Sequence, residues 1–240
     1  MSYRTNEYGQ PVGEALPDWT PRPLPSRVTL QGRYCRLEPI ADRHVASLFA
    51  AYHQAPDSRD WTYIPLERPE SLDDFHAYVA SLQASADPLH YAIVDSVTHH
   101  ALGMLALMRI APAAGSAEVG FVVYSPALQK STAATEAQFL LMQYVFDTLG
   151  YRRYEWKCDS LNAPSRAAAL RLGFQFEGIF RQAVVYKGRN RDTAWFSMIN
   201  SEWPRLSQAY RQWLSPDNID ASGKQRQRLK AFMPARGLAR

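Results

Sequence analysis

Apolar and polar positions along the chain change period several times, and each change marks an element. Residues 117–124 run Ala-Glu-Val-Gly-Phe-Val-Val-Tyr, a β-rich stretch that Ser125-Pro126 closes. Farther on, Ala137, Leu140, Leu141, Tyr144, Val145 and Leu149 recur at helical spacing until Gly150 stops the helix. The same reading predicts an opening strand over 28–39 and a helix over 41–53 with Asp42 near its start. A Pro-bounded loop holding Trp61 and Tyr63 follows, then a helix over 71–84 and a hairpin of strands 91–95 and 101–110. After the helix ending at Gly150 come a strand over 154–159, a short helix over 163–172, and strands over 174–186 and 192–199. Strands alternating with helices predict an α/β sheet, whose topology periodicity alone does not give. No internal repeat is present.

Composition narrows the class. A chain of 240 residues with 46% hydrophobic and 12% aromatic content can bury one substantial core. No apolar run approaches the roughly 20 residues of a membrane span, and the amino terminus has no signal-peptide core, so a cytoplasmic location is expected. Cys35 and Cys158 fall in predicted strands with no metal-ligand spacing; they read as buried thiols, and no metal is expected. Charge is unevenly spread. Lys224, Arg226, Arg228, Lys230, Arg236 and Arg240 give residues 221–240 a charge of +6, so residues 1–220 sum to −2 within a net +4. Such a tail is either a solvated extension or a contact for nucleic acid or a ribosomal surface.

The run Gln129-Lys130-Ser131-Thr132-Ala133-Ala134-Thr135-Glu136-Ala137 carries candidate chemistry. Small residues at a helix start let an anion approach unpaired N–H groups and a partial positive charge, which suits a phosphorylated cofactor. An ordinary turn with Ser131 or Thr132 as the N-cap fits the same residues.

Gln129-x-x-Thr132-x-Ala134 resembles the cofactor loop of the GCN5-related N-acetyltransferases (GNAT), Gln/Arg-x-x-Gly-x-Gly/Ala, except for Thr132 at the first Gly. The family's next signature, Asn-x-x-Ala/Ser with a short helix ending in Gly-Phe, is matched by Asn162, Ser165 and Gly173-Phe174. The Asn-x-x-Ser form is similar to the RimJ/RimL-type branch. The resemblance covers roughly residues 28–204 and implies a mixed, splayed central β-sheet flanked by helices on both faces. Residues 1–27 then form an N-terminal extension, 28–214 the acetyltransferase domain and 215–240 a basic C-terminal tail. The implied activity is acetyl-CoA-dependent acetylation of a primary amine, on a small molecule or a protein N-terminus, by direct transfer in a ternary complex. The protein would act as a monomer or homodimer. A non-catalytic acyl-CoA-binding or regulatory protein retaining the fold is the alternative.

The resemblance also assigns roles. Backbone groups of Val122 and Tyr124 would meet the pantetheine and thioester. Gln129 and the Lys130, Ser131, Thr132, Ala133 and Ala134 backbone would hold the pyrophosphate, with Thr132 in an ordinary rather than left-handed conformation. Asn162 would bond the pantetheine arm. Glu118 is the candidate base, with a surface glutamate as the other reading and Asp159 as a lesser candidate. Relatives place a Tyr where this chain has Ala169, so Ser165 is the candidate group at the departing thiolate, or else simply a first-turn residue beside Pro164. Trp61, Tyr63, Tyr186 and Asp192 are expected at the acceptor site, with Lys187, Arg189 and Arg191 available beside them.

Overall fold

The computed structural model describes residues 4–221 and 223–235. Strands β1 (Arg4–Thr5) and β2 (Pro11–Val12) form a small exposed hairpin ahead of the main sheet. The main sheet begins with β3 (Leu30–Gln31) and β4 (Cys35–Pro39), where a single strand over 28–39 was expected. The chain turns back between them because the Glu136 carboxylate accepts the N–H groups of Arg33, Tyr34 and Cys35 at 2.6–2.9 Å. A 3-10 turn at Asp42–His44 precedes α1 (Val45–Tyr52). Helix α2 (Leu72–Ala84) is capped by Ser71, whose Oγ accepts from Asp74 N–H.

Strands β5 (Leu89–Asp95), β6 (Ala101–Ala111) and β7 (Ser116–Tyr124) follow in antiparallel order. Helix α3 (Thr132–Gln143) runs on into a π-helical turn at Tyr144–Thr148. Then come β8 (Arg153–Asp159), α4 (Ala163–Arg171), the long pair β9 (Gln175–Tyr186) and β10 (Arg189–Ile199), and α5 (Trp203–Trp213). The eight-stranded sheet has the order β3-β4-β5-β6-β7-β8-β10-β9. Among the described residues, only β7 and β8 pair in parallel.

Alternation along the strands feeds two cores. Tyr91 and Ile93 of β5 and Leu105 and Leu107 of β6 point to the side where α3 and α5 pack. Ala92, Val94, Ala101 and Met104 point to the opposite side, against Leu48 and Tyr52 of α1 and Phe75 and Val79 of α2. Helices therefore lie on both faces, but α1 and α2 cover only part of theirs. Over β7 and β8 that face carries Glu118, Lys157, Glu155 and Arg153.

The chain after α5 returns to the sheet's other side. Leu229 is buried, Phe232 and Met233 pack on the same core, and Trp213 Nε1 donates to Gln227 O at 3.1 Å. Lys224, Arg226, Arg228 and Lys230 lie on this segment; Arg236 and Arg240 lie outside the described residues.

Candidate active site

Parallel strands β7 and β8 pair only from Ser116↔Arg153 to Val119↔Trp156. Beyond Val119 they part: β7 stays with β6, kinked by Phe121 at φ +48°, while β8 stays with β10. A cavity of about 550 Å³ fills the opening and passes from one face of the sheet to the other. Trp156, Cys158, Asn162 and Ser165 line it on the α4 side. Glu118, Lys157, Thr193 and Trp195 line it on the opposite face. Val122 borders the opening.

The α4 side is built by the start of that helix. Asn162 is its N-cap, accepting Ser165 N–H at 3.1 Å, with Pro164 in the first turn. Ser165 is thus a first-turn residue, and its hydroxyl also reaches the cavity wall. Its Oγ accepts the Trp156 indole N–H at 3.0 Å. The Asn162 side-chain nitrogen has no hydrogen-bond partner among the described residues. Cys158, beside Ser165, has its thiol pushed up by burial, and both cysteines are free and buried.

The loop before α3 is held from several directions. Ser131 is the N-cap, accepting from Ala134 N–H at 3.0 Å, which leaves the Thr132 and Ala133 N–H groups without helical partners. Thr132 is helical, as expected; the left-handed residue is Lys130 at φ +59°. The Thr132 hydroxyl accepts from Gln225 Nε2 of the returning chain. Gln129 Nε2 donates to Tyr124 O at 3.0 Å and Asp60 Oδ2 at 3.1 Å. The Tyr124 carbonyl expected to be free is therefore taken by Gln129, and its phenol is sealed beneath α3 by Gln138 and Ala134 O.

On the other face, the alternative reading of Glu118 as a surface glutamate does not hold. Ala117 and Val119 point into the α3-side core, so Glu118 points the opposite way, and it is 3% exposed. Arg109 meets its carboxylate at 2.7 and 2.9 Å and Lys157 Nζ at 2.9 Å. Lys157 also pairs with Glu155 at 2.7 Å and sits 3.7 Å from the Trp195 ring centroid. The ladder continues through Arg153 to Glu177. Asp159, at the end of β8, is buried and accepts only neutral donors: Leu161 N–H at 2.9 Å and the Tyr186 hydroxyl at 2.8 Å.

Of the expected acceptor residues, Tyr63 lines the cavity and donates to Leu161 O at 3.3 Å. Trp61 does not line it: the indole is 2% exposed, packed edge-on against Tyr52 and Tyr78 in the α1–α2 core. Tyr186 stands behind Asp159, its phenol pushed up to about 12 by burial and then by that carboxylate. Asp192 lies on the outer side of the β9–β10 hairpin, accepting from Gln182 N–H and Asn190. Lys187 and Arg189 pin the loop before α2, reaching Trp61 O at 2.9 Å and Thr62 O at 2.8 Å. Sequence reasoning missed Arg109, Trp156, Lys157 and Trp195. One signal was available for two of them: on 154–159, Glu155, Lys157 and Asp159 alternate with Tyr154, Trp156 and Cys158.

The acetyltransferase (GNAT) domain family model matches residues 35–175. The chain is similar to a GCN5-related N-acetyltransferase from Brucella melitensis, at 50% identity over 90% of this chain and 99% of that one, TM-score 0.88. It is also similar to a probable GNAT-family acetyltransferase from Chromobacterium violaceum ATCC 12472, at 41% identity over 81% of this chain and 98% of that one, TM-score 0.75. The fold extends to RimJ of Mycobacterium smegmatis in complex with CoA-disulfide, at 19% identity over 74% of this chain and 88% of that one, TM-score 0.63. The chain belongs to the GNAT acetyltransferase family.

Proposed function

We propose that the protein transfers the acetyl group of acetyl-CoA to a primary amine by direct attack in a ternary complex. The observation that carries this reading is the opening through the sheet between β7 and β8. A thioester arriving from the α4 side and an amine arriving from the opposite face would meet there, held at reacting distance. The chain's own groups fit the cofactor. Unpartnered N–H groups at the start of α3 suit a pyrophosphate, and the Asn162 amide nitrogen suits a pantetheine carbonyl. The Asn162-x-x-Ser165 form and the RimJ fold likeness support placement near the RimJ/RimL-type branch.

The reaction forms a bond from nitrogen to the acetyl carbon and breaks the carbon–sulfur bond. It must take one proton from the amine and satisfy the departing thiolate. Ser165 suits the second demand: its oxygen accepts from Trp156, so its own proton is turned to other partners. For the first demand we favour Asp159 over Glu118. Two cations already hold the Glu118 carboxylate, and protonating it would forfeit both pairs, whereas Asp159 accepts only from an amide and a phenol.

Calorimetric titration with acetyl-CoA, followed by thiol release in the presence of amines, tests the reading. Saturable binding and amine-dependent thiol release are expected. Binding without release for any amine would support a non-catalytic acyl-CoA-binding protein, and no binding at millimolar ligand would sink both.

A further inference from the structure

The cations that line the cavity are not all paired, and the unpaired one points to the acceptor. Arg109 and Lys157 are taken by Glu118. Lys187 and Arg189, on the same hairpin as Arg191, are taken by the loop before α2. Arg191 lines the cavity, and its Nε donates to Thr193 Oγ1 at 3.1 Å. Its guanidinium carbon lies 5.9 Å from the Tyr186 ring centroid, and no carboxylate among the described residues lies within ion-pair distance. Arg191 therefore lines the cavity with its planar pair of terminal donors bound to no carboxylate.

The wall beside it is apolar. Phe180 stacks on Trp195 with ring centroids 4.4 Å apart, and Ile64 and Val184 line the same cavity. Asp159 borders the same cavity.

Resting on the acetyl-transfer reading, we propose that the acceptor is a small amine bearing an apolar body and a carboxylate. Arg191 binds the carboxylate in bidentate fashion, the Phe180–Trp195 wall takes the apolar body, and the amine faces Asp159. The cavity volume suits an α-amino acid with an apolar side chain. A polycationic amine brings no anion for Arg191.

Paired amines test this without any variant. Phenylalanine and methionine are compared with phenethylamine and 3-methylthiopropylamine, which lack only the carboxylate, by thiol release at saturating acetyl-CoA. We expect kcat/KM to favour the carboxylated partner by about 10- to 100-fold, mostly through KM. Arg191→Gln should bring the ratio near one by lowering kcat/KM for the carboxylated amines more than for their decarboxylated partners, and Arg191→Lys should restore part of the ratio. Equal or reversed preference in the wild-type protein overturns the proposal, as does an Arg191→Gln loss shared equally by both members of a pair. Acetyl-CoA binding with no turnover of any of the four amines also overturns it. Failure of acetyl-CoA to bind overturns the underlying reading instead.

Discussion

The indole nitrogen of Trp156 on β8 lies 3.0 Å from the hydroxyl oxygen of Ser165 in the first turn of α4. A strand that faces the core thus orients a helix residue that faces the cavity. If Ser165 stabilises the departing thiolate, Ser165→Ala should lower kcat by about 100-fold, the size seen when one preorganised donor is removed. Trp156→Phe keeps the ring but loses the N–H, so a fall of about tenfold is expected. Both variants should keep the wild-type KM for acetyl-CoA. Steady-state kinetics would refute the role if Ser165→Ala raised that KM and left kcat alone.

Asp159 and Glu118 should separate cleanly when each is replaced by its amide. Asp159→Asn still accepts one hydrogen bond and so should fold, but kcat at neutral pH should fall by about 100-fold or more. Glu118→Gln removes the negative member of a buried ion pair. Its main cost should be in stability, about 2 kcal/mol, because buried Lys157 keeps only its pair with Glu155. Urea denaturation beside steady-state kinetics of the two variants checks both. A stable Glu118→Gln protein with the larger loss of kcat would return the base to Glu118.

Glu136 is a stability device. Its carboxylate accepts three backbone N–H groups, from Arg33, Tyr34 and Cys35, and so ties α3 to the β3–β4 turn. Glu136→Ala should cost roughly 3–5 kcal/mol, because the donors it leaves are partly shielded from water. Glu136→Gln keeps one acceptor oxygen and should lose less. Gly32→Ala should also destabilise, since a Cβ there would stand 2.6 Å from the Glu136 carboxylate and 2.7 Å from the Cys35 carbonyl oxygen. Shifts in the denaturant midpoint report all three. A Glu136→Ala midpoint at the wild-type value would show that water replaces the carboxylate without penalty.

The sheet and the helix starts were legible because they rest on local signals. Period-two alternation places Tyr91 and Ile93 opposite Ala92 and Val94, and Ser131 caps α3 from the position its sequence suggests. The cation pairs on Glu118 were not legible. They need the register Glu118↔Glu155 and a lysine two residues farther along β8, which only the folded sheet provides. Trp61 misled for a related reason: a loop has no period, so nothing in the chain says that its indole turns inward onto Tyr52 and Tyr78. In the basic tail, Leu229, Phe232 and Met233 recur at helical spacing among the cations, a packing signal that net charge obscured.

Burial of His90 should make stability fall on mild acidification. It is 2% exposed on β5 beside Phe121, and burial, reinforced by the Arg27 charge, lowers its imidazole to about 4. The unfolded chain takes up this proton near its ordinary value of 6.5, whereas the native protein resists until about 4. Stability is therefore full above the unfolded value and drains away as pH falls through the window between the two. The loss from this group should reach about 1.4 kcal/mol at pH 5.5 and approach about 3 kcal/mol near pH 4. His44, also lowered by burial, adds in the same direction, so the discriminating comparison is His90→Gln, which removes one titration and keeps a polar side chain. Urea unfolding at pH 7.5 and 5.5 should show a smaller pH-dependent loss in the variant than in the wild type by about 1.4 kcal/mol. Equal losses in the two proteins would mean that His90 is protonated alike in the folded and unfolded states.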